Sequence, residues 1–205
     1  MDEKGIFDKS HFDILRELGN IGSGNAVTAL AKMLGKKVDM HVPKVNVVEF
    51  KDIADFIGGP ELIIVGILVS ISGDIHGIMM FLMRMESAES LVQIIMNGME
   101  TPKEEGFNEI ERSAIQEMGN IMISSYLGSL AGLTNQLIIP SIPYLSIDMA
   151  NAILSVPAIE FSKVADRALF IESSFAVDTD EVGGYFIFVP DMPSFGILFK
   201  ALGVE

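Results

Sequence analysis

The chain has 205 residues, 49% of them hydrophobic, and a formal net charge of −14 at pH 7. This charge disfavours nucleic acid as a partner, because the phosphate backbone would be repelled, and the absence of cysteine excludes disulfides and thiolate metal sites. With three scattered histidines and no apolar run of about 18 residues, we expect no metal of the chain's own, no membrane insertion and a cytoplasmic location.

The first half predicts a helix, an interrupted strand, a helical connection, a hairpin and a second helix. Apolar residues recur at helical spacing from Phe12 to Leu34, with Ser10 as a candidate cap and Gly35 as a stop. Lys37 to Phe50 alternates imperfectly and predicts a strand interrupted at Pro43. The hairpin and the closing helix follow in the ranges Glu61 to Ile71, Ile75 to Met85 and Glu86 to Met99.

The second half repeats this order after a joint at residues 101–106. Its predicted elements are a helix from Asn108 to Leu133, an extended segment from Gln136 to Ile147, a helix from Ile147 to Leu154, hairpin strands from Ala168 to Val177 and Gly183 to Val189, and a helix from Met192 to Ala201. We therefore predict one α/β (α+β) domain over residues 1–205, with pseudo-twofold repeats at about 8–100 and 108–203. A mainly antiparallel sheet covered by helices is expected.

A short polar pattern occurs once in each predicted long helix, one hundred positions apart. Both copies have an acid and an amide three residues apart, Glu17 with Asn20 and Glu117 with Asn120, and each copy begins at Asp13 or Ser113. Helical spacing places these side chains on the face away from the apolar residues. Because much of the remaining sequence differs between the halves, retention of this pair favours a function over a merely solvated helix face.

Glycines accompany the pattern, although each one weakens a helix by about 0.5 to 1 kcal/mol relative to alanine. Gly22 lies on the predicted apolar side, which favours close helix packing as its role. Gly19 and Gly119 stand beside the polar pair, and we expect the missing side chain to let a partner approach the Asn.

The pair suits water positioning better than proton abstraction. An Asn carboxamide both donates and accepts hydrogen bonds and can hold a water molecule in one orientation, which is what in-line phosphoryl transfer requires. No Walker-type phosphate loop occurs in the chain. The cations that neutralise the phosphate would therefore come from the partner.

The duplicated Asp/Ser-x-x-x-Glu-x-x-Asn arrangement resembles the active sites of the CheC family of chemotaxis phosphatases, which includes CheX and FliY. The resemblance is greatest to stand-alone CheC, since two sites are present and no switch-type domain follows Leu202. It implies hydrolysis of the aspartyl phosphate of the response regulator CheY. The catalytic residues would be Glu17, Asn20, Glu117 and Asn120, with Asp13 and Ser113 supporting the interface, and Mg²⁺ would be supplied by the receiver.

The resemblance also implies binding to CheD, a receptor deamidase, and the segment from Ser146 to Leu154 is a candidate surface for it. The main alternative to a phosphatase is a non-catalytic adaptor that binds a receiver domain or CheD. A small-molecule enzyme is a third class, for which the sequence offers no cysteine and only isolated histidines.

Overall fold

The computed structural model describes residues 9–40, 44–96, 106–160, 167–177 and 180–203. The helices are α1 (Lys9–Leu34), α2 (Ile53–Ile57), α3 (Met85–Met96), α4 (Glu109–Thr134), α5 (Ala150–Glu160) and α6 (Met192–Ala201). The strands are β1 (Val38–Met40), β2 (Lys44–Glu49), β3 (Ile63–Gly73), β4 (Gly77–Arg84), β5 (Ile138–Pro140), β6 (Tyr144–Met149), β7 (Arg167–Val177) and β8 (Asp180–Pro190).

The eight strands form one antiparallel sheet in which the hairpin strands β4 and β8 pair at the centre. Their register places Phe81 opposite Phe186, with ring centroids 4.7 Å apart. Strands β1 and β2 pair with β7, whereas β5 and β6 pair with β3. The extended segment of each half therefore joins the hairpin of the other half, and the predicted fold class, helices with a mainly antiparallel sheet, is confirmed.

Helices cover both faces of this sheet. One face carries α1, α3, α4 and α6, and the other carries α2 and α5, each over its own apolar cluster. Strand β3 shows why two clusters form, because its successive side chains alternate between Ile64 on one face and Val65 on the other. Four methionines are fully buried in these clusters: Met79, Met80, Met83 and Met118.

Local signals account for most element ends. Helix α1 stops at Gly35, which has the positive φ of +62° that favours glycine. The side chain of Asn108 accepts from the backbone N–H groups of Ile110 and Glu111, and Glu111 Oε2 accepts in return from the backbone N–H of Asn108. This capping box fixes the start of α4. The prediction that Ser10 caps α1 is wrong, since Ser10 lies inside the helix.

The helical connection of the first half could not be located from the sequence. It is a single 3-10 turn, Phe50–Asp52, followed by the five residues of α2, which are too few to show a helical period. The predicted break at Pro43 and the joint at 101–106, except for Gly106, lie outside the described residues. Within the described ranges, no helix combines the length and the apolar character needed to cross a bilayer.

Candidate active sites

The two polar patterns lie on neighbouring helices of the same sheet face. Helices α1 and α4 are in contact, with the ring of Tyr126 filling the space that a side chain at position 22 would occupy. A second contact joins them where Asn25 Nδ2 donates to Ser129 Oγ at 2.8 Å. The predicted packing role of Gly22 is therefore confirmed.

The acids of both pairs point away from the core, as helical spacing predicts, whereas the amides are partly enclosed. Glu17 and Glu117 are exposed, and neither forms an ion pair with another described residue. Asn20 and Asn120 are half-buried at the edge of the packed face. Each helix thus presents a free carboxylate one turn before a partly enclosed carboxamide, within reach of a second molecule. The two residues expected at the start of the pattern are also exposed on this surface: Asp13 and Ser113.

Gly19 and Gly119 do not open the site to a partner, so that expectation is wrong. A Cβ atom on Gly19 would lie 2.6 Å from Val45 Cγ2, and one on Gly119 would overlap the side chain of Ile67. Both glycines face the sheet and bring their helix against it. Their position next to Asn20 and Asn120 therefore fixes the height of each carboxamide above the strands.

The surroundings of the two carboxamides differ. Ser124 Oγ donates to Asn120 Oδ1 at 3.4 Å across one helical turn. The corresponding residue on α1 is Gly24, and Asn20 Oδ1 is shielded from solvent and has no hydrogen-bond partner among the described residues. Gly24 and Ser124 each follow the amide of their site by one helical turn.

One contact beside the second pair was missed by the sequence reasoning. Gln116 Nε2 donates to the backbone carbonyl of Pro143 at 2.7 Å, which ties the loop between β5 and β6 to the helix next to Glu117. The available signal was the recurrence of proline at positions 43 and 143. A proline there lacks an N–H but keeps a carbonyl that can accept.

The chemistry available at these helices is hydrogen bonding by an amide and attraction of a cation by a carboxylate. Among the described residues, no three His, Cys, Asp or Glu side chains come close enough to hold a metal ion. A phosphorylated partner that brings its own cations would find here a positioned amide and a free negative charge.

Comparisons with known proteins agree with this geometry. A profile of the CheC-like family matches residues 11–47 and 110–147, the segments that contain the two patterns. The chain is 35% identical over 200 residues to the CheY-P phosphatase CheC of Bacillus subtilis, covering 96% of both chains. It is 29% identical over 119 residues to the flagellar motor switch phosphatase FliY of that organism, covering 58% of this chain and 31% of the relative. The crystal structure of Thermotoga maritima FliY has the same fold, with a TM-score of 0.75 at 22% identity over 97% of this chain and 98% of that one.

Proposed function

The chain belongs to the CheC-like family and is a CheY-P phosphatase, and we propose that it hydrolyses the aspartyl phosphate of CheY at two sites, one on α1 and one on α4. The observation that carries this assignment of sites is the pair of outward-facing acid and amide doublets on adjacent helices. An adaptor that only bound the receiver would need complementary charge, but it would have no need of an amide held at a fixed height.

Each site acts by inserting its helix face into the active site of the receiver. The carboxamide of Asn20 or Asn120 orients a water molecule in line with the phosphorus. The water oxygen bonds to phosphorus as the bond to the aspartyl oxygen breaks, which releases inorganic phosphate and restores the receiver's carboxylate. Glu17 or Glu117 contacts a receiver lysine beside the phosphate, which holds the two molecules in register.

The start of each helix supports the docking, through Asp13 at the first site and Ser113 at the second. We propose that the chain brings no cofactor of its own and that Mg²⁺ held by the receiver would neutralise charge on the phosphate. These two residues differ in identity, whereas the acid and the amide of each doublet are the same at both sites.

The experiment replaces both amides, Asn20→Ala together with Asn120→Ala. Because a single preorganised hydrogen bond in a transition state contributes roughly 100-fold or more to a rate, the double variant should lose most of the added dephosphorylation while still binding phosphorylated CheY. Asn25→Ala is the matched control, since Asn25 is an exposed amide on α1 that bonds to Ser129 instead. Equal rates for the wild type and the double variant would remove the water-positioning role.

The two acids, Glu17 and Glu117, should affect receiver binding rather than the rate of hydrolysis. Glu17→Gln together with Glu117→Gln removes the charge without changing shape, so we expect weaker receiver binding that also depends less on salt. A titration of phosphorylated CheY at two ionic strengths measures both effects. Unchanged affinity and salt dependence would exclude the contact with a receiver lysine.

A second candidate role, binding of CheD, is favoured by a difference between the two ends of the sheet on the face that carries α2 and α5. Lys44 on β2 lies opposite Glu172 on β7, and the two form an ion pair at 3.4 Å. At the other end of the sheet, where β6 pairs with β3, the same cross-strand position holds Tyr144 opposite Leu68. One end of this face therefore carries charged side chains, whereas the other end is apolar.

The side chains that pack next to these two positions also differ between the two ends of the sheet. Where β7 pairs with β2, the ring of Phe170 lies 5.5 Å from the ring of Phe56 and 5.2 Å from that of Tyr185, which fills the face beside α2. Gly66 occupies the position on β3 that corresponds to Phe170 on β7. A cavity of about 570 Å³ opens there beside α5 and includes Asp148 in its lining. This cavity borders the segment proposed for CheD, residues 146–154.

Exchanging the surfaces tests this role. Tyr144→Lys with Leu68→Glu installs between β6 and β3 the Lys–Glu ion pair that already joins β2 to β7. Folding should therefore be preserved. We expect CheD to bind about tenfold or more weakly, because aromatic and apolar anchors dominate such interfaces, while CheY-P hydrolysis is unchanged. Undiminished CheD binding would place its surface elsewhere.

A further inference from the structure

The two proposed catalytic amides differ in one hydrogen bond. Asn120 Oδ1 accepts from Ser124 Oγ, whereas Asn20 Oδ1 is enclosed and accepts from none of the residues that the structure describes. The doublets themselves match in exposure: both acids are exposed and both amides are half-buried. The difference follows from a single residue, since Gly24 stands where Ser124 would be expected.

Packing does not explain Gly24. A Cβ atom built on it meets no atom within 4 Å, unlike Gly22, where the added atom would overlap the ring of Tyr126. A glycine inside a helix is unfavourable without such a reason. The open space means that a serine side chain at position 24 would fit without displacing a neighbour.

The hydroxyl at position 124 has a direct consequence for the amide. The terminal torsion of an Asn side chain is broad and nearly twofold, so an unrestrained carboxamide can present either its oxygen or its nitrogen to a water molecule. A donor on Oδ1 favours one of these two orientations and leaves the second lone pair of Oδ1 available. Asn120 is restrained in this way before the receiver binds, and Asn20 is not.

We propose that Ser124 is a positioning residue that preorganises Asn120, and that its replacement by Gly24 makes the first site the slower of the two. This inference rests on the proposed hydrolysis of CheY-P at both sites. Ser124 acts through the amide rather than on the phosphate, so its effect belongs to the chemical step and not to receiver binding.

The first test isolates the second site in an Asn20→Ala background. There Ser124→Ala removes only the hydroxyl, and we expect kcat to fall about two- to fivefold with KM unchanged, as for the loss of one neutral hydrogen bond. Ser124→Thr keeps a hydroxyl and should restore the rate. A kcat that is unaffected by Ser124→Ala, or a change confined to KM, would overturn the proposal.

The second test isolates the first site in an Asn120→Ala background. Gly24→Ser gives Asn20 Oδ1 the donor that it lacks and should raise kcat by a similar factor, about two- to fivefold. Gly24→Ala is the control, because it raises the helix propensity at least as much as serine does without adding a hydroxyl. An equal gain from both substitutions would show that helix rigidity is responsible, which contradicts the positioning role.

These outcomes are separable from a failure of the proposed function. If the variant lacking both amides dephosphorylated CheY as fast as the wild type, neither site would use its Asn and the function as stated would fail. If that variant were inactive while Ser124→Ala and Gly24→Ser left their rates unchanged, the two catalytic amides would stand and only the positioning role would be lost.

Discussion

Tyr126 carries a hydroxyl that the core does not satisfy. Its ring packs on Gly22 of α1 and lies 5.5 Å from the ring of Phe186, and its oxygen has no hydrogen-bond partner in the described part of the chain. A buried polar group without a partner costs about 1 to 3 kcal/mol. We predict that Tyr126→Phe raises the free energy of unfolding in urea by about 1 kcal/mol. A lower value would mean that the hydroxyl bonds to a buried water molecule.

The same residue makes stability depend on alkaline pH. Burial raises the pKa of Tyr126 above its ordinary value of 10.0, so the folded chain retains a proton that the unfolded chain releases. Ionisation of this group therefore leaves the free energy of unfolding unchanged below pH 10 and lowers it as the pH rises from 10 toward the folded pKa. Denaturation of wild type and Tyr126→Phe at a series of pH values should show a shallower decline for the variant. Parallel declines would contradict this.

Gly119 and Gly128 both lie on α4, but we expect opposite effects on stability when each is replaced by alanine. An alanine at 119 would overlap Ile67, whereas one at 128 would meet nothing within 4 Å. We predict that Gly119→Ala destabilises the chain by about 1 to 3 kcal/mol through overpacking, while Gly128→Ala stabilises it by roughly 0.5 to 1 kcal/mol through helix propensity. Urea denaturation of both variants measures this; the same sign for both would refute the account of close approach at Gly119.

The direction of the acid side chains could be predicted from the sequence, whereas their tertiary surroundings could not. Spacing was sufficient to direct Glu17 and Asn20 outward, because a helical period depends only on local order. The role of Gly19 was misjudged, since its neighbour Val45 lies on a strand whose distance from the helix is set by tertiary packing. The bond from Ser124 to Asn120 depends on side-chain rotation, which a pattern of residue types does not determine.

At the scale of elements, α4 begins at a capping box that supports the second site. Asn108 satisfies two backbone donors of the first turn, and Glu111 bonds back to it. We predict that Asn108→Ala lowers the free energy of unfolding by about 1 kcal/mol, within a range of about 0.5 to 2 kcal/mol, measured by thermal or urea denaturation. Asn108→Ser, which retains a capping oxygen, is the control; an equal loss in both variants would argue against capping as the cause.

Most elements were predictable because their signals are local. The hairpin of β3 and β4 has its turn chemistry at Gly73 and Asp74, and the long helices have apolar periods of many turns. The pairing of β2 with β7 and of β6 with β3 was not predictable, since alternation shows that a segment is extended but not which strand it joins.

At the scale of the whole molecule, we propose that both halves fold as one domain. Each half lends its extended strands to the hairpin of the other, and the central pair β4 and β8 joins the two. Neither half can open without exposing strand edges of both. We predict a single unfolding transition, with equal midpoints by far-ultraviolet circular dichroism and by hydrogen exchange of β4 and β8 amides. Separate midpoints for the two strands would contradict a single domain.

The most direct test of the central claim is the lifetime of phosphorylated CheY, measured in the presence of Mg²⁺ with and without this protein. Two outward-facing acid and amide doublets on a rigid helix pair should shorten that lifetime at substoichiometric concentrations, since each molecule releases the receiver after phosphate leaves. An unchanged lifetime in a solution where the complex demonstrably forms would contradict catalysis and leave only an adaptor.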